Sequence, residues 1–174
     1  MTTVTQYAIL PSPLGPLLLT GAGAALTGLY LTAHQGRPEI AAAWQRADDA
    51  PLFVQASAQL HGYFAATLHN FDLPLRPIGT PFQQAVWQAL QQIPYGQTLS
   101  YSELAARLGR ANASRAVGLA NGRNPLAILV PCHRVIGASG ALTGYGGGVA
   151  RKAWLLAHEA RYTRSAGTDL FAHP

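Results

Sequence analysis

Charge and sulfur are both scarce in this chain. Only 11% of its 174 residues are Asp, Glu, Lys or Arg, while 49% are apolar. That balance excludes a disordered, self-repelling chain and leaves enough apolar side chains for a core in one or two small domains. Cysteine occurs once, as Cys132. A single cysteine excludes a disulfide framework and any Cys-rich zinc site, and neither a metal nor a cofactor is expected. A lone thiol that does chemistry is at home in a reducing compartment. Long apolar runs are missing too: no stretch approaches the roughly 18 uncharged residues that span a bilayer. The segment Met1–Gln6 has no basic stretch leading into an apolar one, so no secretory signal is read there. These absences predict a soluble cytoplasmic protein with no membrane partner. Internal repeats are absent as well.

Acidic residues are few and unevenly placed. Residues 1–75 hold Arg37 and Arg46 against Glu39, Asp48, Asp49 and Asp72, a net of −2. Residues 76–174 hold ten basic residues against Glu103, Glu159 and Asp169, a net of +7. Arg107, Arg110, Arg115, Arg123 and Arg134 follow one another with no acidic residue between them. Such a block suits a phosphate backbone, although a solvated basic face has the same composition.

What is present reads as β first and α later. Val4–Ile9, Leu17–Thr20 and Leu26–Leu31 alternate or run apolar between Pro/Gly turns, which predicts a three-stranded meander. Residues 32–50 read as irregular, or as a short helix around Glu39–Trp44. Leu52, Phe53, Ala56, Leu60, Tyr63 and Phe64 have helical spacing, so 51–67 is expected to be an amphipathic helix. Pro74–Gly79 reads as a linker between a domain at 1–75 and another at 76–174. Thr80-Pro81-Phe82-Gln83 and Ser100-Tyr101-Ser102-Glu103 are capping boxes that open two helices. Glu103 could act as a general base, but the capping box accounts for it. Asn112 is placed to cap a third helix, Ala113 to about Ala120. Two short helices across a tight turn suggest a helix-turn-helix, a weak signal alone. The second, Ala113–Ala120, is built of small residues with Arg115 standing out. It suits close packing on a neighbour, or entry into a DNA groove with Arg115 as the probe. The glycines of Tyr145–Gly148 suit close approach of backbone to a ligand, or a plain flexible loop. Val149–Ala160 reads as a last helix, and the tail from Thr163 as frayed.

Cys132 lies in Pro131-Cys132-His133-Arg134, after the apolar run Leu126–Val130. The run reads as a strand that the proline stops, placing the thiol at a turn. A thiol is reactive only as thiolate, and an adjacent imidazole is a standard way of removing its proton. A buried, inert cysteine is the competing reading.

Taken together, several stretches resemble one family. Ser100-Tyr101, Ser114-Arg115-Ala116-Val117-Gly118, Asn124-Pro125, Pro131-Cys132-His133-Arg134-Val135, Tyr145-Gly146-Gly147 and Leu155-Leu156-Ala157-His158-Glu159 occur in that order. They resemble the O6-alkylguanine-DNA alkyltransferases, the methylated-DNA–protein-cysteine methyltransferases, and Asn121–Pro125 resembles the bacterial stand-alone members. The motifs cover about residues 80 to 160. The fold implied is α+β: a small N-terminal antiparallel sheet with a helix, ribonuclease H-like, then a mostly helical C-terminal domain with a winged-helix-like helix-turn-helix. The activity implied is a single-turnover transfer of an alkyl group from guanine O6, and from thymine O4, to Cys132 in double-stranded DNA. A monomer bound through the minor groove is implied.

The resemblance also implies roles. Cys132 accepts the alkyl group, His133 takes its proton through a water, Glu159 orients His133, and Asn124 braces the cysteine turn. Arg115 enters the base stack where the damaged guanine leaves it. Tyr101 helps rotate the 3′ phosphate and hydrogen-bonds the base. Ser114, Ala116, Gly118 and Arg123 complete the DNA contact. Val135, Tyr145, Gly146 and Gly147 line the base pocket with Tyr101, and His158 is structural. The physical reasoning agrees: a base must leave the stack before O6 can be reached, and a wedge on a small-residue helix serves that end. Where many relatives have serine, this chain has Gly146, so a hydroxyl contact is lost. Two other readings stay open: a lesion-sensing DNA-binding protein that transfers nothing, and a thiol hydrolase unrelated to DNA.

Overall fold

The computed structural model describes residues 4–169. The first three strands form where the alternation and turns predict them: β1 Thr5–Leu10, β2 Leu17–Ala22 and β3 Ala25–Tyr30, paired as an antiparallel meander. A two-residue strand, β4 (Gln45–Arg46), adds to the sheet parallel to β1, giving the order β3-β2-β1-β4. No helix forms at Glu39–Trp44. Tertiary contacts hold that segment instead. Ala47 N donates to Tyr7 O (2.9 Å), and the Asp48 carboxylate accepts from Ile9 N (3.1 Å) and Arg46 Nε (2.6 Å).

The helix α1 (Pro51–Phe64) turns Phe53, Ala56, Leu60 and Tyr63 inward, all on one face. It stops before residue 67 because Ala66 takes a left-handed backbone (φ 58°), letting Thr67 N and Leu68 N close on Gly62 O. Both capping boxes form. Thr80 and Gln83 open α2 (Pro81–Leu90), and Ser100 and Glu103 open α3 (Tyr101–Arg107). The helix α4 runs Ser114–Gly122 without the expected Asn112 cap. The turn closes through Ala113 N to Arg110 O (2.8 Å), which puts Ala113 at the cap position and leaves Asn112 one residue early. The Trp87 indole N–H donates to Ala120 O (2.9 Å) and ties α2 to α4.

The apolar run 126–130 is not a strand. Its five residues are buried, and Ile128 has φ 71°, an outlier for a β-branched side chain. Only Leu126 pairs, in a parallel bridge to Leu29 of β3. An apolar run of this length does not tell a strand from any other buried segment. A second pair, β5 (Leu99–Ser100) with β6 (Val135–Ile136), is parallel and flanks the cysteine turn. The last helix, α5, spans Val149–Asp169 and runs past the expected end at Ala160. No glycine or proline interrupts it before Gly167, and Thr163 Oγ1 donates back to Ala160 O (3.0 Å). The rest of the tail, 170–174, lies outside the described residues.

The architecture is therefore α+β, a mostly antiparallel sheet with one covering helix followed by a helical part. A single buried cluster joins Leu19, Leu26 and Leu29 of the sheet to Trp87, Val117, Leu126–Val130 and Cys132. No helix among the described residues is long and apolar enough to cross a membrane.

Candidate active site

Pro131 sets the cysteine at the start of one 3₁₀ turn, Cys132–Arg134, with Cys132 N donating to Val130 O (2.8 Å). All three side chains of the turn point into the protein; Cys132 is 3% exposed and His133 fully buried. His133 Nε2 lies 2.7 Å from Glu159 Oε1 on α5. A carboxylate can only accept, so Nε2 carries the proton and Nδ1 is the free lone pair. That Nδ1 has no hydrogen-bond partner among the described residues. Burial pulls the His133 pKa below its usual value despite Glu159, so the ring is neutral at pH 7 and able to act as a base.

Glu159 receives five hydrogen bonds. Oε1 accepts from His133, from the Tyr63 hydroxyl (2.8 Å) and from Arg134 Nη2 (2.9 Å). Oε2 accepts from Arg134 Nε (2.9 Å) and Gly96 N (3.1 Å). Burial alone would raise its pKa, but the hydrogen bonds and charges of His133 and Arg134 outweigh that and hold it far below the usual carboxylate range. Arg134 also donates from Nη1 to Ile93 O (2.7 Å) and is 6% exposed. The basic block thus divides. Arg107, Arg110, Arg115 and Arg123 are exposed, while Arg134 is spent inside on Glu159 and cannot reach a phosphate.

The thiol is desolvated, and burial pushes its pKa up to about 11, partly offset by a hydrogen bond with Asn124 and the charge of Lys152. Asn124 sits where a brace must: its Oδ1 accepts from Leu126 N (2.9 Å) and its Nδ2 donates to Val130 O (2.8 Å). Asn121 Nδ2 adds a longer bond to Cys132 O (3.3 Å). Lys152 is fully buried and donates to Val135 O, to Thr143 O (2.9 Å) and to the Tyr101 hydroxyl (3.4 Å). Burial lowers its pKa to about 8. The Tyr101 hydroxyl in turn donates to Thr143 O (2.8 Å).

An open cleft of about 640 Å³ adjoins this centre, lined by Tyr30, Gln35, Gly118, Leu119, Asn124 and Tyr145 among others. Arg123 also lines it, but Cys132, Tyr101, Val135, Gly146 and Gly147 do not. Tyr145 is buried, its hydroxyl without a hydrogen-bond partner among the described residues. Arg115 and Ala116 are exposed on α4, Ser114 and Gly118 half-buried, and Leu119 is 64% exposed beside them. His158 Nε2 donates to Tyr63 O (2.8 Å), as a structural residue would.

Sequence reasoning missed Tyr63, Asn121, Lys152 and the inner role of Arg134. Lys152 had a readable signal: it shares helical spacing with Leu155 and Glu159, one inward face of α5. Tyr63 had none, because nothing in α1 announces a partner ninety-six residues away.

Comparison with known proteins agrees with this geometry. The model of the 6-O-methylguanine DNA methyltransferase DNA binding domain matches residues 81–161, and that of its ribonuclease-like domain matches 5–77. A methylated-DNA–protein-cysteine methyltransferase of Methanosarcina acetivorans is 51% identical over 150 residues, 86% of this chain and 95% of its own. One from Mycobacterium bovis is 53% identical over 151 residues, 87% and 90% of the two chains. The solved structure of Mycobacterium tuberculosis OGT in complex with DNA superposes with a TM-score of 0.82 at 52% identity, covering 90% of this chain and 93% of that one. With both halves matched and identity above half over most of the length, the chain belongs to the 6-O-methylguanine DNA methyltransferase family.

Proposed function

We propose that this protein repairs DNA by moving an alkyl group from O6 of guanine, and from O4 of thymine, to Cys132. One observation carries the reading: the only cysteine of the chain stands on a tight turn beside a neutral histidine that a carboxylate orients. In a family of protein-cysteine methyltransferases the acceptor can then be no other residue. His133 Nδ1 takes the thiol proton through a water. The thiolate sulfur attacks the alkyl carbon, the carbon–oxygen bond breaks, and the base leaves as its oxyanion, at O6 of guanine or O4 of thymine, which regains the proton that His133 took from the thiol. Burial raises the thiol pKa, so thiolate is scarce until His133 acts; the charge of Lys152 then favours the anion. Asn124 keeps the turn in register with His133.

The DNA side follows from the exposed face of α4. Arg115 opens the stack from the minor groove, Ser114, Ala116, Gly118 and Arg123 lie along the strand, and Tyr101 helps turn the nucleotide out. Val135, Tyr145, Gly146 and Gly147 receive the base. Residues 1–75 form one domain and 76–174 the other, acting together as a monomer in the reducing cytoplasm. A thioether cannot be reversed by any group here, so each molecule reacts once.

The test is an incubation with duplex DNA carrying O6-methylguanine, followed by mass spectrometry of the intact protein. A gain of one methyl on Cys132 per molecule is expected. Retention of the DNA without a mass gain would mark a lesion sensor, and turnover beyond one group per molecule would overturn the mechanism.

A further inference from the structure

The loop after β3, Leu31–Arg37, has no part in the chemistry, yet it meets the glycine loop at three points. Gln35 N donates to Gly146 O (2.8 Å). Arg151 Nη1 bridges the two loops, donating to Thr32 O (2.6 Å) and to Gly147 O (3.1 Å). Between these polar ties the His34 ring lies directly against Gly146. A Cβ added at 146 would overlap that ring at Nε2 and stand 2.5 Å from Cδ2. Neighbours hold the ring: His34 is 5% exposed, and Tyr30 packs on it with centroids 5.5 Å apart. Its Nδ1 has no hydrogen-bond partner among the described residues, so packing rather than polar bonding fixes it. Gly147 is confined as well, a Cβ there coming 3.0 Å from Leu31 Cδ1. This explains the glycine at 146: any side chain would have to displace a buried ring.

We propose that His34 is a positioning residue for the base pocket, its ring setting the path of the backbone at 145–147 and through it the fit of the alkylated guanine. The inference rests on the functional reading above, in which that backbone receives the base. His34 touches no reacting atom. It decides where the peptide groups of Gly146 and Gly147 stand, and an interaction of that kind acts on substrate binding rather than on the transfer step. Burial, with the charges of Arg151 and Arg37, holds the His34 pKa down at about 4, so the wedge stays neutral under working conditions.

The experiment measures alkylation of the full chain by the free base O6-benzylguanine as a function of its concentration, which separates half-saturation from the limiting rate. In H34A the half-saturation concentration should rise about tenfold while the limiting rate changes by less than about twofold. G146A, which crowds the same ring from the other side, should also raise half-saturation. The double variant H34A/G146A should recover part of that loss, because the ring is gone. A ring that served stability alone would lower the active fraction and the melting temperature without moving half-saturation. Unchanged half-saturation in H34A, or a fall in limiting rate alone, would overturn the proposal. If H34A does not fold, G146A decides: unchanged half-saturation there overturns it. Failure of the wild type to take up a methyl group from O6-methylguanine in duplex DNA would overturn the functional reading, whereas transfer by the wild type with unresponsive variants would overturn only the role of His34.

Discussion

The two halves of the molecule differ in what they show and agree in what they do. Residues 81–169 carry the groups whose chemistry is evident from their type: the thiol, the imidazole, the carboxylate and the lone arginine on a small-residue helix. Residues 4–77 carry a short sheet and one helix, with no cluster that suggests a reaction. Yet the first half reaches the centre at three points. Tyr63 of α1 donates to Glu159, His34 packs on Gly146, and Leu29 of β3 hydrogen-bonds the backbone on both sides of Leu126, at the entry to the cysteine turn. A helix-turn-helix with a thiol nearby would leave the Glu159 carboxylate short of a donor and the glycine loop without a back wall. The half that looks like a scaffold therefore also completes the polar shell of the active site.

The sharpest way to break this division is Cys132→Ser. With an alcohol in place of the thiol, transfer should vanish, while binding to duplex DNA persists. Any methyl on residue 132 in the mass spectrum would sink the assignment of the chemistry to the second half. Next is Arg134→Ala. It leaves a buried carboxylate short of its main counter-charge and should cost about 3–5 kcal/mol in a denaturant titration. Because Arg134 is buried, the salt dependence of DNA binding should stay as it was, whereas Arg123→Ala should flatten it by about one counterion. A flattened salt slope in a folded Arg134 variant would return that residue to the DNA face.

Acid should then separate the halves. The His34 pKa is lowered from 6.5 to about 4 in the folded protein, so between those values the unfolded chain binds the extra proton. Stability should fall as pH drops through that window, by about 3 kcal/mol from His34. His133, also held below its usual value by burial, acts in the same direction. The depressed Glu159 adds its stabilisation above the ordinary carboxylate range and loses it only at lower pH. In H34A the loss of melting temperature between pH 7 and 5 should shrink; an unaltered loss would assign it all to the second half. The smallest effect is expected from Tyr63→Phe. One of five hydrogen bonds to Glu159 goes, worth about 1–3 kcal/mol since the acceptor is charged. Melting temperature should fall, and transfer should slow modestly as His133 loses part of its support. No change in either would reduce Tyr63 to packing.

Much of this was open to reading before any fold was known. The capping boxes at Thr80 and Ser100 are local, made by residues three apart, so they formed as the sequence predicts. The meander was marked by alternation and by turns at Pro/Gly pairs. Cys132, His133 and Asn124 are near neighbours in the chain, and the structure brings them together with Glu159. The errors have one physical character. β4 was missed because two residues carry no periodicity, and their pairing to β1 depends on Asp48 meeting Ile9. The run 126–130 reads as a strand because burial alone makes a sequence apolar. Arg134 reads as one more member of a basic block, phosphate-binding or solvated, because charge spacing does not tell which way a side chain points.

By itself the amino-acid sequence determined what depends on residue type and short separations: the helix starts, the meander, a single thiol and its adjacent base. Family membership could be read from it for the same reason, since the motifs are contiguous words. Tertiary structure alone decided which charges are spent inside and which face outward, and therefore which arginines are free for DNA. It decided that Tyr63 closes the shell of Glu159, and that a glycine at 146 is demanded by a histidine over a hundred residues earlier in the chain. Those outcomes are set by desolvation and close packing. Both depend on which surfaces meet once the chain has collapsed, and no local pattern encodes that.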